Sequence, residues 1–533
     1  MLQTLRSTRG MVVAPHHLAA QAGLAVLREG GNAIEAMIAA ASTVAVVYPH
    51  MNGLGGDNVW LISRKGQPPV GIDACGASAA LATLRFYAEH GYTKAIPSRG
   101  PLSALTMAGA VSGWQAALDI SRGLGGKLPL ARLLEDATHF ARHGFAVTQS
   151  QAKANVGKRA ELEHSPGFAA KFMAAGGPVA GTLFCNGELA ATLERLAAAG
   201  LDDFYRGDLA RTMAAELERA GSPLRLADFE RHRALAVTPL GVTLTHATAY
   251  GMPPPTQGLA SMMILGLFDR IKPASADGFE HVHAIVEATK RAVLVRDAEV
   301  TDPAHMRVDP RSFLRPEWLQ AEAAKIDLAR ALPWPHVAKP GDTVWLGAID
   351  SDGTAVSFIQ SIYWEFGSGV VLPSSGIVWQ NRGTSFALDS AHTNALTPLR
   401  RPFHTIQPSM ALFRDGRVMP YGTMGGEGQP QTQAAIYTRY ADYGQELQAA
   451  ITAPRWLLGR SWGADTQTLK IENRFATDVM AKLKSAGHDV EVVGAFEEAM
   501  GHAGALVAHS SGPKAGTIEG ASDPRSDGAA AGY

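Results

Sequence analysis

A mixed α and β fold, α+β in class, is predicted by three observations. Segments of helical period are scattered over the first 300 residues. A strand-rich stretch follows from Thr343 to Trp379, and the regular βαβ alternation of nucleotide-binding folds is missing. Leu18 to Arg28 reads as an amphipathic helix stopped by Gly30-Gly31. Asn32 with Glu35 forms a capping-box variant ahead of an alanine-rich helix to about Val47. That helix is apolar on all sides and belongs in a core. Helical patterns recur at Ala110–Arg122, Leu130–Arg142, Gly187–Ala199, Leu209–Ala220 and His281–Arg296. In the second half a hairpin is expected at Thr343–Ile349 and Thr354–Ile362 with Asp352-Gly353 as its turn. A helix at Gln431–Tyr443 and a strand pair at Leu469–Glu472 and Val490–Val493 complete the pattern. There is no internal repeat.

Composition narrows the function classes. The 533 residues are 46% hydrophobic and 18% charged, as in ordinary globular proteins. A formal net charge of −1 without a long basic run argues against nucleic acid or an anionic membrane as partner. Cys75 and Cys185, the only cysteines, make no CxxC pair, so neither a structural disulfide nor a zinc site is expected. The first ten residues lack a secretory apolar stretch, and the run from Ala36 to Tyr48 is too short to span a bilayer. A cytoplasmic protein is the expectation.

Thr343 is the residue with the most chemistry attached. It begins a strand directly behind a loop holding Pro333, Pro335, Pro340, Gly341 and Asp342, an exposed and non-helical connection. Cleavage of the Asp342–Thr343 bond would free an α-amine able to take the proton of the same residue's hydroxyl, giving nucleophile and base in one residue. The bland alternative is a threonine that only begins a strand. Four other motifs compete. Gly459-Arg460-Ser461-Trp462-Gly463 fits the serine-elbow pattern but lacks the following helix. His281-x-His283 with Glu287 has metal-ligand residue types, yet neighbours two apart diverge on a helix and no third ligand is apparent. Gly53-x-Gly55-Gly56-Asp57 lacks the lysine and the strand–helix context of a phosphate loop and reads as a core-lining turn. His16-His17 reads as the start of a helix.

Six ordered blocks run along the chain: Gly10-Met11-Val12-Val13, Gly30-Gly31-Asn32-Ala33-Ile34-Glu35-Ala36, Pro49-His50-Met51-Asn52-Gly53-Leu54-Gly55-Gly56, Phe366-Gly367-Ser368-Gly369, Gly422-Thr423-Met424-Gly425-Gly426 and Ala521-Ser522-Asp523-Pro524-Arg525. In this order they resemble the γ-glutamyltranspeptidase family. The resemblance implies a four-layer α-β-β-α Ntn-hydrolase sandwich built from both halves. Self-cleavage would then give chains 1–342 and 343–533, held as a heterodimer, with pairing of two heterodimers left open. It places Thr343 on the nucleophile, Gly425 and Gly426 on the oxyanion hole, and Ser361 on a hydroxyl that orients the nucleophile's amine. It implies neither metal nor organic cofactor.

Departures from the family pattern bear on substrate. Val344 and Trp345 follow the nucleophile where a small hydroxyl residue and a histidine are usual. Tyr363 replaces a substrate-holding asparagine, Ser385 the acid expected to grip a glutamyl ammonium, and His404-Thr405 two serines that hold the α-carboxylate. Arg382 stands at a glutamine-like position, and Arg85 lies beside the position of a substrate-binding arginine. A glutamyl head needs an anionic partner for its ammonium, and Ser385 supplies none. Arg382, Arg85, His404 and Thr405 are expected to take a small carboxylate, with Tyr363 and Trp364 shortening the pocket. A carboxylate bonded directly to an amide, oxamate, fits that description. The alternatives are a γ-glutamyl hydrolase or transpeptidase with a remodelled pocket, and an unprocessed, non-catalytic homologue.

Overall fold

Two seven-stranded antiparallel sheets stack face to face in the computed structural model, which describes residues 2–65, 67–335, 341–459 and 467–533. One sheet runs in the order Ala529–Gly532, Met11–Ala14, Asp342–Ile349, Ala355–Tyr363, Asp57–Ser63, Val70–Asp73, Leu235–Val237. The other runs Leu5–Ser7, Ile518–Ser522, Ala503–Ala508, Val418–Thr423, Ser409–Phe413, Ala247–Gly251, Leu240–Thr243. Segments from before and after Thr343 alternate in both sheets, so the two halves share one core.

The strand period explains the layers. In Asp342–Ile349, Val344, Leu346 and Ala348 pack with the helices His17–Arg28 and Ala33–Val47, while Trp345 and Ile349 point between the sheets. Met11, Val13, Val59, Leu61, Ile359, Met410 and Leu506 complete that inner layer. On the far side, Ala249, Ala411, Met419 and Ala505 pack with helices Gly258–Ile271, Phe279–Glu299 and Gln429–Tyr437. The result is the expected four-layer α-β-β-α sandwich. Every residue of Ala33–Val47 is buried, as its predominantly apolar sequence requires, and Glu35, Ser42 and Thr43 are buried with the rest. Its capping box is complete: Asn32 N–H donates to Glu35 Oε2 at 2.9 Å and Asn32 Oδ1 accepts from the N–H of Ile34 and Glu35.

Differences from the sequence reading are local. The Leu130–Arg142 pattern divides at Leu134 (φ −98°, ψ 0°), whose ψ lies outside the helical range, into Leu130–Leu133 and Glu135–His143. The helix expected at Gln431–Tyr443 starts at Gln429 and ends at Tyr437, followed by a π turn over Thr438–Asp442. There Thr438 Oγ1 donates back to the Ala434 carbonyl at 2.8 Å, a competition with the ladder typical of threonine. Strand Leu469–Glu472 pairs with Val490–Val493 in parallel. Cys75 and Cys185 are both free, and among the described residues no helix is long and apolar enough to cross a membrane.

Candidate active site

Thr343 lies at an irregularity. The ladder between Asp342–Ile349 and Ala355–Tyr363 shifts register between Asp342 and Val344, leaving Thr343 out of regular pairing. Its side chain is completely buried. The Thr343 hydroxyl bonds to the Asp342 carbonyl oxygen, and Oγ1 lies 3.2 Å from Ser361 Oγ. The Ser361 hydroxyl donates to the same carbonyl at 2.6 Å and accepts the Tyr363 N–H at 2.9 Å. The peptide bond joining Asp342 to Thr343 is thus polarised by a neighbouring hydroxyl, with a second hydroxyl beside it. The Asp342 carboxyl accepts the Thr343 N–H at 2.7 Å through Oδ1, while Oδ2 is buried and meets no hydrogen-bond partner among the described residues. Burial, then the nearby Glu365, holds that carboxyl well above the usual carboxylate range. Asp342 also lines a cavity of about 310 Å³ with His50, Ser150, Lys158, Glu365 and Glu498.

Gly425 and Gly426 follow strand Val418–Thr423 with φ of +119° and +51°, a conformation that favours glycine. Among the described residues, no acceptor meets either N–H. A Cβ on Gly426 would lie 2.9 Å from the Gly341 carbonyl oxygen. A Cβ on Gly341 would lie 3.0 Å from Gly426 Cα, 3.2 Å from the Tyr363 ring and 3.5 Å from Thr405 Oγ1. The residue two places before Thr343 therefore rests on Gly426 and on the expected substrate pocket together.

That pocket brings together Tyr363, Arg382, Ser385, His404 and Thr405, all buried. Tyr363 adopts φ +80°, an uncommon conformation for a bulky residue. The Arg382 guanidinium carbon lies 3.5 Å from its ring centroid. Arg382 Nη1 donates to Thr405 Oγ1 at 3.2 Å, while Nε and Nη2 meet no hydrogen-bond partner among the described residues. Ser385 Oγ is likewise buried and unpartnered. Burial lowers the Arg382 pKa to about 10, opposed by Tyr363 and Asp57. Arg85 does not join this group. It sits on the short helix Leu84–Glu89 with its side chain 87% exposed, paired with Glu89 one turn on, so sequence proximity to a family position did not carry it inward.

Asp57, read from the sequence only as the end of a glycine turn, belongs to this pocket. Its Oδ1 accepts from Gly76 N–H, Gly109 N–H and Gln380 Nε2, and its Oδ2 lies 3.1 Å from His404 Nε2. Burial raises its pKa to about 7 against the opposing pull of Arg382, and burial holds the His404 imidazole well below its usual value. The available signal was an acid opening a strand, Asp57–Ser63, whose centre Val59-Trp60-Leu61-Ile62 is apolar. The preceding glycines form a core-lining turn: Cβ atoms on Gly55 and Gly56 would each lie 2.1 Å from a backbone carbonyl, of Val378 and Ser361.

The competing motifs resolve differently. His283 Nδ1 lies 2.8 Å from His488 Nε2, and Glu287 lies beside them, so the fold does supply a third ligand type that spacing did not show. However, Lys290 Nζ occupies Glu287 Oε1 at 2.7 Å, Leu332 N–H occupies Oε2, and the Asp327 carbonyl meets His283 Nε2. An ammonium already fills the place of a metal charge, so the cluster is a satisfied polar network. His281 turns away to Thr438 Oγ1 at 3.0 Å. His16 caps helix His17–Arg28 through the Leu18 N–H. The serine-elbow pattern spans 459–463, of which 460–463 lie outside the described residues.

Comparison with known proteins fits this frame. The gamma-glutamyltranspeptidase family model matches residues 19–533, and the chain belongs to that family, as an Ntn-type hydrolase. It is 56% identical to the oxamate amidohydrolase proenzyme of Klebsiella pneumoniae over 99% of both chains. It is 40% identical to a glutathione hydrolase-like proenzyme of Bacillus subtilis over the full length of both. Among solved structures, the cephalosporin acylase of Bacillus halodurans superposes with a TM-score of 0.91 at 32% identity, covering 100% of this chain and 97% of that one.

Proposed function

We propose that this protein is a self-processed amidohydrolase that converts a small anionic amide, oxamate, to oxalate and ammonia. The observation that carries the reading is the Arg382 guanidinium, buried with Nε and Nη2 unpartnered, in a pocket that reaches the Gly425-Gly426 loop through Thr405 and Gly341. A buried cation with open donors favours a carboxylate. Ser385 offers no charge for the ammonium of a glutamyl group.

In the precursor, Thr343 Oγ1 attacks the Asp342 carbonyl carbon while Ser361 donates to its oxygen. The C–N bond breaks, the freed α-amine takes the hydroxyl proton, and water hydrolyses the ester. Chains 1–342 and 343–533 result. They stay together because strand Met11–Ala14 of the first is paired between Asp342–Ile349 and Ala529–Gly532 of the second. In turnover, the α-amine accepts the Thr343 hydroxyl proton as Oγ1 attacks the amide carbonyl. Gly425 and Gly426 N–H groups hold the oxyanion, each such donor contributing about 3–4 kcal/mol. The proton passes to the departing nitrogen, leaving an oxalyl ester that water resolves. Arg382 and Thr405 hold the free carboxylate throughout.

The near relative named for oxamate supports the substrate; the relative named for glutathione-type hydrolysis supplies the comparison. The test is ammonia release from oxamate and short anionic amides beside γ-glutamyl-p-nitroanilide turnover. Oxamate should give a kcat/KM far above the γ-glutamyl compound. Preference for the γ-glutamyl substrate would refute the pocket assignment and leave a transpeptidase.

A further inference from the structure

Gln257 immediately precedes helix Gly258–Ile271 and is wholly buried. Its amide nitrogen donates to two backbone carbonyls from separate parts of the site, Thr405 at 2.5 Å and Gly426 at 2.7 Å. Its Oε1 accepts from Arg296 Nη1 at 3.2 Å, and Arg296 Nη2 reaches Glu427 Oε2 at 2.7 Å. The partners fix the orientation of the amide. Turned over, it would aim an oxygen at two carbonyls and its NH₂ at a guanidinium. The Gln257 backbone joins the same junction, its N–H donating to the His404 carbonyl at 2.9 Å.

These bonds have a mechanical consequence. Gly426 lacks a Cβ and holds φ +51°, so its own side chain cannot fix its peptide planes. Outside bonds must do so. The Gly426 carbonyl is held by two bonds, one from the Gln429 N–H at the end of the same short turn and one from the Gln257 side chain, which also holds Thr405, the residue bonded to Arg382. Gln257 and Arg296 belong to 1–342, whereas Gly426, Glu427 and Thr405 belong to 343–533.

We propose that Gln257 is a positioning residue that sets the oxyanion glycine and the anion pocket in one fixed relation across the processing boundary. Removing its donors then changes the chemical step and anion binding together. The proposal rests on the reading of Thr343, Gly426 and Arg382 given above.

The experiment compares wild type with Gln257→Met, which keeps the side-chain length and removes both donors. Active sites are counted as chains beginning at Thr343, and kcat and KM are measured for oxamate and for neutral acetamide beside the thermal midpoint. Per processed site, kcat should fall at least about tenfold on both amides. KM should rise several-fold for oxamate alone. A residue that only supports the fold would lower the midpoint and the processed fraction but leave both constants per site unchanged, and that result overturns the proposal. A fall in kcat with an unchanged oxamate KM overturns the coupling. Should Gln257→Met not accumulate, Gln257→Asn, which keeps an amide on a shorter arm, carries the same comparison; failure of both to fold overturns positioning in favour of a structural role. Wild-type protein not cut at Thr343 would instead remove the underlying reading.

Discussion

Replacing Arg382 by methionine removes the cation while keeping an apolar stem over Tyr363. In the native pocket Nη1 meets Thr405 Oγ1 at 3.2 Å, and Nε and Nη2 stand open. If a substrate carboxylate occupies those two donors, its loss removes charge-assisted hydrogen bonds of about 1.5–3 kcal/mol, or roughly 10- to 150-fold in kcat/KM. The fold should tolerate the change. Asp57, whose carboxyl sits at about 7 with Arg382 as the largest opposing influence on its burial, moves further up when the cation goes and shifts toward its neutral acid at neutral pH, so no new buried charge is stranded. Lysine at the same position should recover only part of the loss, since one ammonium replaces a fork stacked on the Tyr363 ring. The assay is ammonia release from oxamate and from acetamide, with Arg85→Met as the exposed control. Arg382→Met should lose activity selectively on oxamate, and Arg85→Met should match wild type on both. Equal losses on both amides, or none, would refute the role of Arg382 in holding the carboxylate.

Three further outcomes follow from the same geometry. Gly426→Ala places a Cβ 2.9 Å from the Gly341 carbonyl oxygen; kcat of the processed enzyme should fall about 10²- to 10³-fold, and normal turnover in a soluble variant would move the oxyanion donors elsewhere. Gly341→Ala places a Cβ 3.0 Å from Gly426 Cα, so the rate of chain cleavage on a denaturing gel should drop, while kcat/KM per processed site stays near wild type because residue 341 has left the pocket; equal loss of both would contradict that separation. Asp57 is raised from 3.8 to about 7, so its folded form binds the proton more tightly than the unfolded chain does. Its contribution is complete below about pH 4 and is lost as pH rises through about 7, a change on the order of 4 kcal/mol. Asp57→Asn should flatten that part of the stability–pH curve, and an unchanged slope in denaturant titrations would show that Asp57 does not titrate there.

Much of the frame was legible because periodicity and capping are local. Asn32 and Glu35 announced a helix start, and the fourteen other residues of Ala33–Val47, all apolar or small, announced its burial. The Thr343 hairpin was readable from its β-branched residues and the Asp352-Gly353 turn, where Gly353 adopts φ +80°. Strands such as Met11–Ala14 and Ser409–Phe413 were not readable, since four or five residues buried on both faces carry no alternation. The site divides the same way. Ser361, Gly425 and Gly426 came from resemblance; Ser361 lies 3.2 Å from Thr343, and Gly426 lies beside Gly341. Arg85 failed because one helical position decides between core and solvent. The contacts of Asp57, Gln257 and His488 escaped notice because their partners lie far away in sequence, at His404, Gly426 and His283.

The most direct test of the central claim is the intact mass of the purified protein, read beside Thr343→Ala. Wild type should resolve into two chains whose masses correspond to 1–342 and 343–533, with threonine at the new N-terminus. Thr343→Ala should remain a single inactive chain of 533 residues. An uncut wild-type chain that turns over oxamate, or a cut at any other bond, would contradict Thr343 as the nucleophile.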